Sequence, residues 1–233
     1  PSEILKLTMI LYLSAWFSKN LSSKGVNSST LAPFVFILSF VGFLLALQPD
    51  IGTMIAISAI AFIMFFVAGA KFKHIFALGA VGLVILLVLI YLAPYRWQRL
   101  MTFINPGEDI KGASYHLNQS LISIGSGGLT GVGYGEGKQK LGLLPEPIGD
   151  SIFAVAAEEF GFVGSAVILG LYLFLLSVLI KISLSSKDKF NQLFVLGMAS
   201  WIGVQAVVNI GAISGLLPLT GIPLPFISYG ATS

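Results

Sequence analysis

Residues Leu143–Gly164 read LLPEPIGDSIFAVAAEEFGFVG, a proline-broken acidic loop running straight into an apolar stretch that continues to Ile180. Apolarity sustained over that length marks a membrane-crossing helix, because about 20 residues rising 1.5 Å each cover roughly 30 Å of hydrocarbon. The loop sets Glu146 and Asp150 at a boundary between water and membrane, and Glu158 and Glu159 follow about two turns further in. An ionised side chain at that depth costs at least roughly 2.5 to 3.5 kcal/mol on insertion scales. Each of these acids therefore needs a partner or a purpose.

Working outward, the whole chain carries the same signature. It has 233 residues, 56% hydrophobic and 10% charged, with a mean hydropathy of +0.93, whereas a soluble domain is about 25% charged. The fold class is an all-α polytopic membrane protein. Apolar runs occupy about 4–17, 31–47, 51–70, 75–93, 151–180 and 190–213, and a last one opens near Pro223. They predict six transmembrane helices plus a truncated seventh, in a single transmembrane domain spanning 1–233. The chain opens on Pro1 without an initiator Met or signal peptide and stops at Ser233 inside an apolar run, so it reads as an internal fragment.

The polar segments alternate in sign. Those at 18–30, 70–74 and 181–189 hold Lys19, Lys24, Lys71, Lys73, Lys181, Lys187 and Lys189 against one acid, Asp188. The positive-inside rule makes these cytoplasmic and the long 95–150 loop extracytoplasmic. The formal net charge of +3 reports this orientation and implies no nucleic acid. With no cysteine and two histidines far apart in sequence, neither a disulfide nor a zinc centre is expected.

Within the long loop, Leu117, Leu121, Ile122 and Ile124 have helical spacing and predict a short interfacial helix. From Gly125 to Gly137, seven of thirteen residues are glycine. The register fits no dinucleotide fingerprint or phosphate loop. It reads as flexible backbone, or as a loop whose N–H groups approach an anionic substrate.

Four constellations carry chemistry. Glu146 and Asp150 stand at the rim, and Asp150 is either a helix N-cap or a proton acceptor with its pKa raised by partial burial. On a helix unbroken from Asp150, Glu158 lies about 12 Å deeper and roughly 80° around while Glu159 faces the side opposite Asp150, so both cannot serve one site. They pair with buried cations or helix ends, or take part in catalysis. Arg96 and Arg99, with Lys111, Lys138 and Lys140, either snorkel to head groups or clamp phosphate, which arginine grips bidentately. Polar groups within helices complete the set. Glu3 and Lys6 are spaced to pair, Asp50 is placed to cap the third helix, and Gln205 and Asn209 share one face that bonds to neighbouring helices.

Ordered motifs across the chain resemble one family. They are P-S-E-x-x-K-L from Pro1, Q-P-D-I-G-T from Gln48, A-G-A-K from Ala68, Y-R-W-Q-R-L…F-I-N-P from Tyr95 and Q-S-L-I-S-I-G-S-G-G from Gln119. The series continues with Q-K-L…L-P-E…D-S-I-F-A-V-A-A-E-E-F-G from Gln139 and P-L-P-F-I-S-Y-G from Pro223. The chain is similar to the SEDS family (shape, elongation, division and sporulation), and to its FtsW-type division branch more than to the RodA-type elongation branch.

That resemblance implies ten transmembrane helices, of which this fragment lacks the first three and most of the last, in the bacterial cytoplasmic membrane. It implies an inverting peptidoglycan glycosyltransferase that polymerises lipid II with undecaprenyl pyrophosphate as leaving group. A class B penicillin-binding protein and other division proteins would be partners, and a divalent cation, magnesium or manganese, an optional aid. Asp150 matches the essential aspartate and is expected to be the general base. Glu146, Glu3, Lys6, Asp50, Arg96 and Arg99 match polar positions expected to bind or support substrate, with Glu158, Glu159 and Gln119 in the surrounding motifs. The chain departs from the pattern where the usual His-Thr before the aspartate is Ile148-Gly149, which removes an imidazole partner for Asp150. It departs again where the usual Y-G-G-S is Tyr229-Gly230-Ala231-Thr232-Ser233. A lipid II flippase and a non-catalytic scaffold for the penicillin-binding protein are the competing readings.

Overall fold

In a computed structural model, residues 2–20, 28–48, 50–105, 114–140, 142 and 144–229 are described. Among them the regular structure is wholly helical: α1 (Ser2–Asn20), α2 (Ser28–Leu47), α3 (Ile51–Val67), α4 (Phe72–Tyr91), α5 (Pro94–Ile104), α6 (Tyr115–Ser126), α7 (Ile152–Ser185) and α8 (Lys189–Ile213). Helices α4, α7 and α8 are long and apolar enough to cross a membrane, and α2 and α3 contain shorter apolar segments. The expected seventh span is not seen in the described part of its run, because residues 223–229 form turns rather than helix. The 95–150 loop is more ordered than its composition predicts. It contains α6 where helical spacing predicts a helix, and also α5, an amphipathic helix that starts with Pro94 in its first turn, where proline's missing N–H costs nothing.

The chain divides into two compact units. One comprises Pro1–Leu89 and Leu175–Val204, the other Ile90–Phe174 and Gln205–Ala231. The first is held by aromatic and branched side chains. The Phe34 and Phe65 rings stack with centroids 4.3 Å apart and Phe17 leans on both, at 5.9 and 6.0 Å. Ile10, Leu13, Ile57, Ile60, Met64 and Leu193 close around them. A Cβ on Gly197 would lie 2.5 Å from Ile10 Cγ2 and 3.0 Å from Met64 Sδ, so glycine lets α8 approach α1 and α3. Helix α4 buries no side chain, as suits a helix whose solvent is lipid. Lys6 is buried in this unit, with its Nζ 2.5 Å from Glu3 Oε1 and 5.8 Å from the Trp201 ring centroid. The ion pair and the ring face compensate an ammonium that water no longer solvates. Asp50 caps α3 as its sequence position predicts, its Oδ1 accepting from Thr53 N at 2.9 Å.

The second unit is organised by a break in α7. Gly161 has φ 65 and ψ −162, outside helical space. Two helical bonds are thereby lost, those that Phe162 N and Val163 N would donate to the carbonyls of Glu158 and Glu159. The glycine-rich segment makes good both halves. Phe162 N and Val163 N donate to Gly128 O and Leu129 O at 2.9 and 3.1 Å, while Glu158 O and Glu159 O accept from Val132 N and Gly133 N at 3.0 and 3.1 Å. Complete backbone pairing is what a non-helical stretch beside hydrocarbon requires.

Close approach explains the glycines here. A Cβ on Gly127 would sit 2.0 Å from Ala157 O, one on Gly131 2.1 Å from Glu159 O, and one on Gly161 2.3 Å from Gly131 N. The segment is thus a fitted backbone strap rather than a slack loop. Its backbone also receives the two buried acids. Glu158 Oε1 accepts from Lys138 N and Gln139 N at 2.8 and 3.3 Å. Glu159 meets Lys140 Nζ at 2.5 Å and the amides of Gly135 and Gly137. The strap thus reaches both acids. Gly131→Ala, with its φ of 82, is expected to cost at least about 2 kcal/mol through backbone strain and overpacking. Gly125→Ala, helical with open space around it, should be neutral or stabilising by up to ~1 kcal/mol. Thermal unfolding of the two variants in detergent checks the contrast.

Candidate active site

The second unit contains a cleft of about 240 Å³ lined from several elements. Helix α5 contributes Tyr95, Arg99, Thr102 and Phe103, α6 contributes His116 and Leu117, and the end of α8 contributes Asn209. Asp150 enters from the turn before α7, and Leu219, Thr220, Gly221 and Ile222 complete the wall. Among the described residues the Asp150 carboxylate accepts no hydrogen bond, so it is not the cap of α7. Its main chain is fixed instead. Glu146 O accepts from Gly149 N and Ser151 N at 3.1 and 3.2 Å, which closes the turn. Glu146 itself has φ 45, a left-handed backbone rarely adopted by residues other than glycine.

Three successive carbonyls of this turn are then clamped from distant sequence. Tyr229 N donates to Ile148 O at 3.0 Å, Ser228 Oγ to Gly149 O at 2.8 Å, and Asn209 Nδ2 to Asp150 O at 2.9 Å. Asn209 Nδ2 also donates to Ile222 O at 2.8 Å. With its amide nitrogen so held, Asn209 Oδ1 is buried in the wall without a partner, as is Thr220 Oγ1. Gly221 leaves room for the carboxylate, since a Cβ there would lie 3.3 Å from Asp150 Oδ2.

Burial pushes the Asp150 pKa above the ordinary carboxylate value, reinforced by Glu146 and opposed by His116 and Arg99. Burial lowers the His116 pKa, and Arg99 adds to that, while Asp150 and Glu146 act against it. Arg99 lies over the Tyr95 ring, 4.7 Å from its centroid, and donates from one guanidinium nitrogen to Leu219 O at 3.3 Å. Arg99 lines the cleft. The site thus joins a carboxylate of raised proton affinity, an imidazole, a guanidinium and two unpartnered oxygens.

The expected site residues separate into groups. Asp150 and Arg99 line the cleft together, and Glu146 stands exposed on the turn, close enough to act on Asp150 and His116 electrostatically. Arg96 on α5 and Gln119 on α6 are half-buried and do not line it. Glu158 and Glu159 hold the strap, with Lys140 consumed in that pairing. Glu3, Lys6 and Asp50 belong to the first unit. Lys111 lies outside the described residues. Among the described residues no three Asp, Glu or His converge as a metal cage, so no step below is routed through a metal.

Sequence reasoning missed His116, Ser151, Thr220 and Ser228. It also assigned Asn209 to bonds with neighbouring helices, whereas its side-chain amide donates to loop carbonyls. The signal for His116 was its rarity, as one of two histidines in the chain. It had been weighed only as a metal ligand.

A family model described as "Cell cycle protein" and named for FtsW, RodA and SpoVE matches residues 1–233. Stage V sporulation protein E of Bacillus subtilis (strain 168) is 40% identical over 233 residues, covering 100% of this chain and 64% of that protein. A protein of Geobacter sp. (strain M18) named probable peptidoglycan glycosyltransferase FtsW is 38% identical over 234 residues, with coverage of 100% and 64%. The chain therefore spans less than two thirds of the length of these relatives. Among solved structures, one described as structural coordination of polymerization and crosslinking by a peptidoglycan synthase complex superposes with a TM-score of 0.80 at 30% identity. It covers 99% of this chain and 64% of that one. The rod shape determining protein RodA of Thermus thermophilus gives a TM-score of 0.64 at 31% identity, with coverage of 99% and 58%. Matched along its whole length by the family model and in fold by these solved structures, the chain belongs to the SEDS family of membrane proteins, the cell cycle proteins of the FtsW, RodA and SpoVE type.

Proposed function

We propose that the protein containing this chain is a peptidoglycan glycosyltransferase that polymerises lipid II at the outer face of the bacterial cytoplasmic membrane, with Asp150 as general base. The observation that carries the reading is the Asp150 carboxylate itself. It stands in a cleft with a guanidinium, its backbone clamped and its side chain accepting no hydrogen bond among the described residues. A capping or structural aspartate would spend its oxygens on the protein.

The donor sugar leaves from a diphosphate, so no covalent nucleophile is needed. The acceptor hydroxyl gives its proton to Asp150 as its oxygen attacks the anomeric carbon, and the carbon to diphosphate bond breaks on the opposite side. One displacement inverts the centre, turning an α-linked donor into a β linkage. Arg99 in the cleft, with Arg96 on the same helix, supplies positive charge where the leaving diphosphate develops its own. A raised pKa favours a base that must hold the proton in the transition state. The cleft is smaller than the roughly 300–1,000 Å³ that encloses a drug-sized ligand, which fits a site receiving only the reacting end of a lipid-anchored substrate. Magnesium or manganese, if used, would arrive with the diphosphate. The peptidoglycan synthase complex among the structural neighbours supports a penicillin-binding protein as partner, with other division proteins around it.

The test is reconstitution of the full-length protein with lipid II and a penicillin-binding partner disabled for glycosyl transfer. Asp150→Asn is expected to lower polymer formation by about 10² to 10⁴-fold, the usual contribution of a general base. Lipid II crossing the bilayer without polymer, indifferent to Asp150→Asn, would make the protein a flippase. Polymer absent from wild type under every condition would leave a scaffold. Because Asp150 must be ionised to accept the proton and its pKa lies above the ordinary value, activity should fall with decreasing pH while still above the usual carboxylate range. A pH profile of kcat/KM reads that limb. Arg99→Ala should lower kcat/KM about a hundredfold, as loss of a preorganised charge donor does, and Arg99→Lys should recover it only in part, measured in the same assay.

A further inference from the structure

His116 is unused by the reaction as derived above, yet it lies in the same cleft wall as Asp150 and Arg99. Its Nε2 is 2.7 Å from Ser151 Oγ, and Ser151 Oγ is 2.9 Å from Pro145 O. These two contacts fix the tautomer. A carbonyl cannot donate, so the single hydroxyl proton of Ser151 goes to Pro145 O, and His116 Nε2 must carry the proton that reaches Ser151. Nδ1 is then the ring's free acceptor and takes the second proton when the imidazole becomes cationic. Ser151 is fully buried and follows Asp150 directly. A ring on α6 is thereby tied to the turn that holds the carboxylate.

We propose that His116 is a positioning residue for Asp150: through Ser151 it anchors the turn, and through its reversible charge at Nδ1 it sets the proton affinity of the carboxylate beside it. The inference rests on the reading of Asp150 as base and adds to it a second titrating group. Among the described residues, the charged groups acting on the ring are Asp150 at the start of α7, Arg99 of α5 and Glu146 of the turn. Of these, the two acids favour the imidazolium and Arg99 opposes it. Burial raises the pKa of Asp150 and lowers that of His116, so the two titrations are drawn toward each other. When both partners are ionised, the imidazolium favours the carboxylate form.

Three variants of the full-length protein separate anchoring from charge. His116→Gln keeps an N–H donor in reach of Ser151 but cannot be protonated. Without the imidazolium the carboxylate holds its proton more tightly, so the acid limb of kcat/KM for lipid II polymerisation should move to higher pH by about half a unit or more, with the alkaline plateau lowered by no more than about threefold. His116→Ala loses the donor as well, and its plateau should fall at least about tenfold below that of His116→Gln. Thermal unfolding identifies any variant that fails to fold.

The third arm needs no catalysis. In protein with isotope-labelled histidine, the imidazole signal absent from His116→Gln is followed through pH by NMR. Asp150→Asn should move its titration to lower pH. An imidazole titration unchanged by Asp150→Asn, or a His116→Gln profile that superimposes on wild type at every pH, overturns the proposal and leaves His116 a structural residue. Should wild type make no polymer at all, the glycosyltransferase reading fails, while the NMR titration still decides whether His116 and Asp150 are coupled.

Discussion

The site depends on one constraint, the capture of three consecutive carbonyls at Ile148, Gly149 and Asp150 by Tyr229 N, Ser228 Oγ and Asn209 Nδ2. The turn at 146–151 is irregular backbone, and each of its carbonyls needs a donor once water is excluded. Had the side chain of Asp150 been used to satisfy the turn, as an N-cap would be, its oxygens would not be open to a substrate. Donors from the end of α8 and from 228–229 hold the carbonyls of the turn, which a carboxylate, itself an acceptor, cannot do. Ser228 also accepts from Leu224 N at 2.8 Å, so the clamp is itself braced. The turn is thus fixed without use of the Asp150 carboxylate.

A second accounting, two turns deeper, explains why the helix after Asp150 is broken. At Gly161 the helix gives up two bonds, and the glycine strap replaces both donors and both acceptors. Breaking the helix lets Glu158 and Glu159 address the same segment. Two acids that are expensive to bury are then compensated by amide donors and one lysine, a local solution that asks nothing of the substrate. Their cost is met by architecture, whereas the cost of burying Asp150 is left partly unmet and appears as raised proton affinity. That difference separates supporting acids from a base.

Local features were legible in the sequence, and features joining distant segments were not. The cap at Asp50 could be read because its acceptor and Thr53 N are three residues apart. The apolar runs and the spacing of Leu117, Leu121 and Ile124 gave their helices through periodicity alone, and Asp150 was singled out by its motif. The strap was misread because glycine records only that a side chain is absent, and the Glu159 carbonyl that excludes one from Gly131 lies 28 positions along. Helix α5 was missed because a short amphipathic segment in a charged loop resembles loop composition. His116 was passed over for a similar reason: its partner Ser151 is 35 residues away, and no local pattern announces the pairing.

The order of effects at Asp150 also limits how the cleft can work. Desolvation is the largest influence on the carboxylate, ahead of either cation. Arg99 therefore does not hold Asp150 as a salt-bridge partner would, and no ion pair between them is present. A tight pair would depress the pKa and consume both groups, leaving a poor base and a neutralised cation. Kept apart, with Arg99 resting on Tyr95 and Leu219 O, the two can act on different parts of one substrate, the carboxylate on a hydroxyl proton and the guanidinium on a phosphate. Separation of opposite charges within one small cleft is thus what allows it to hold a base and an anion receptor together.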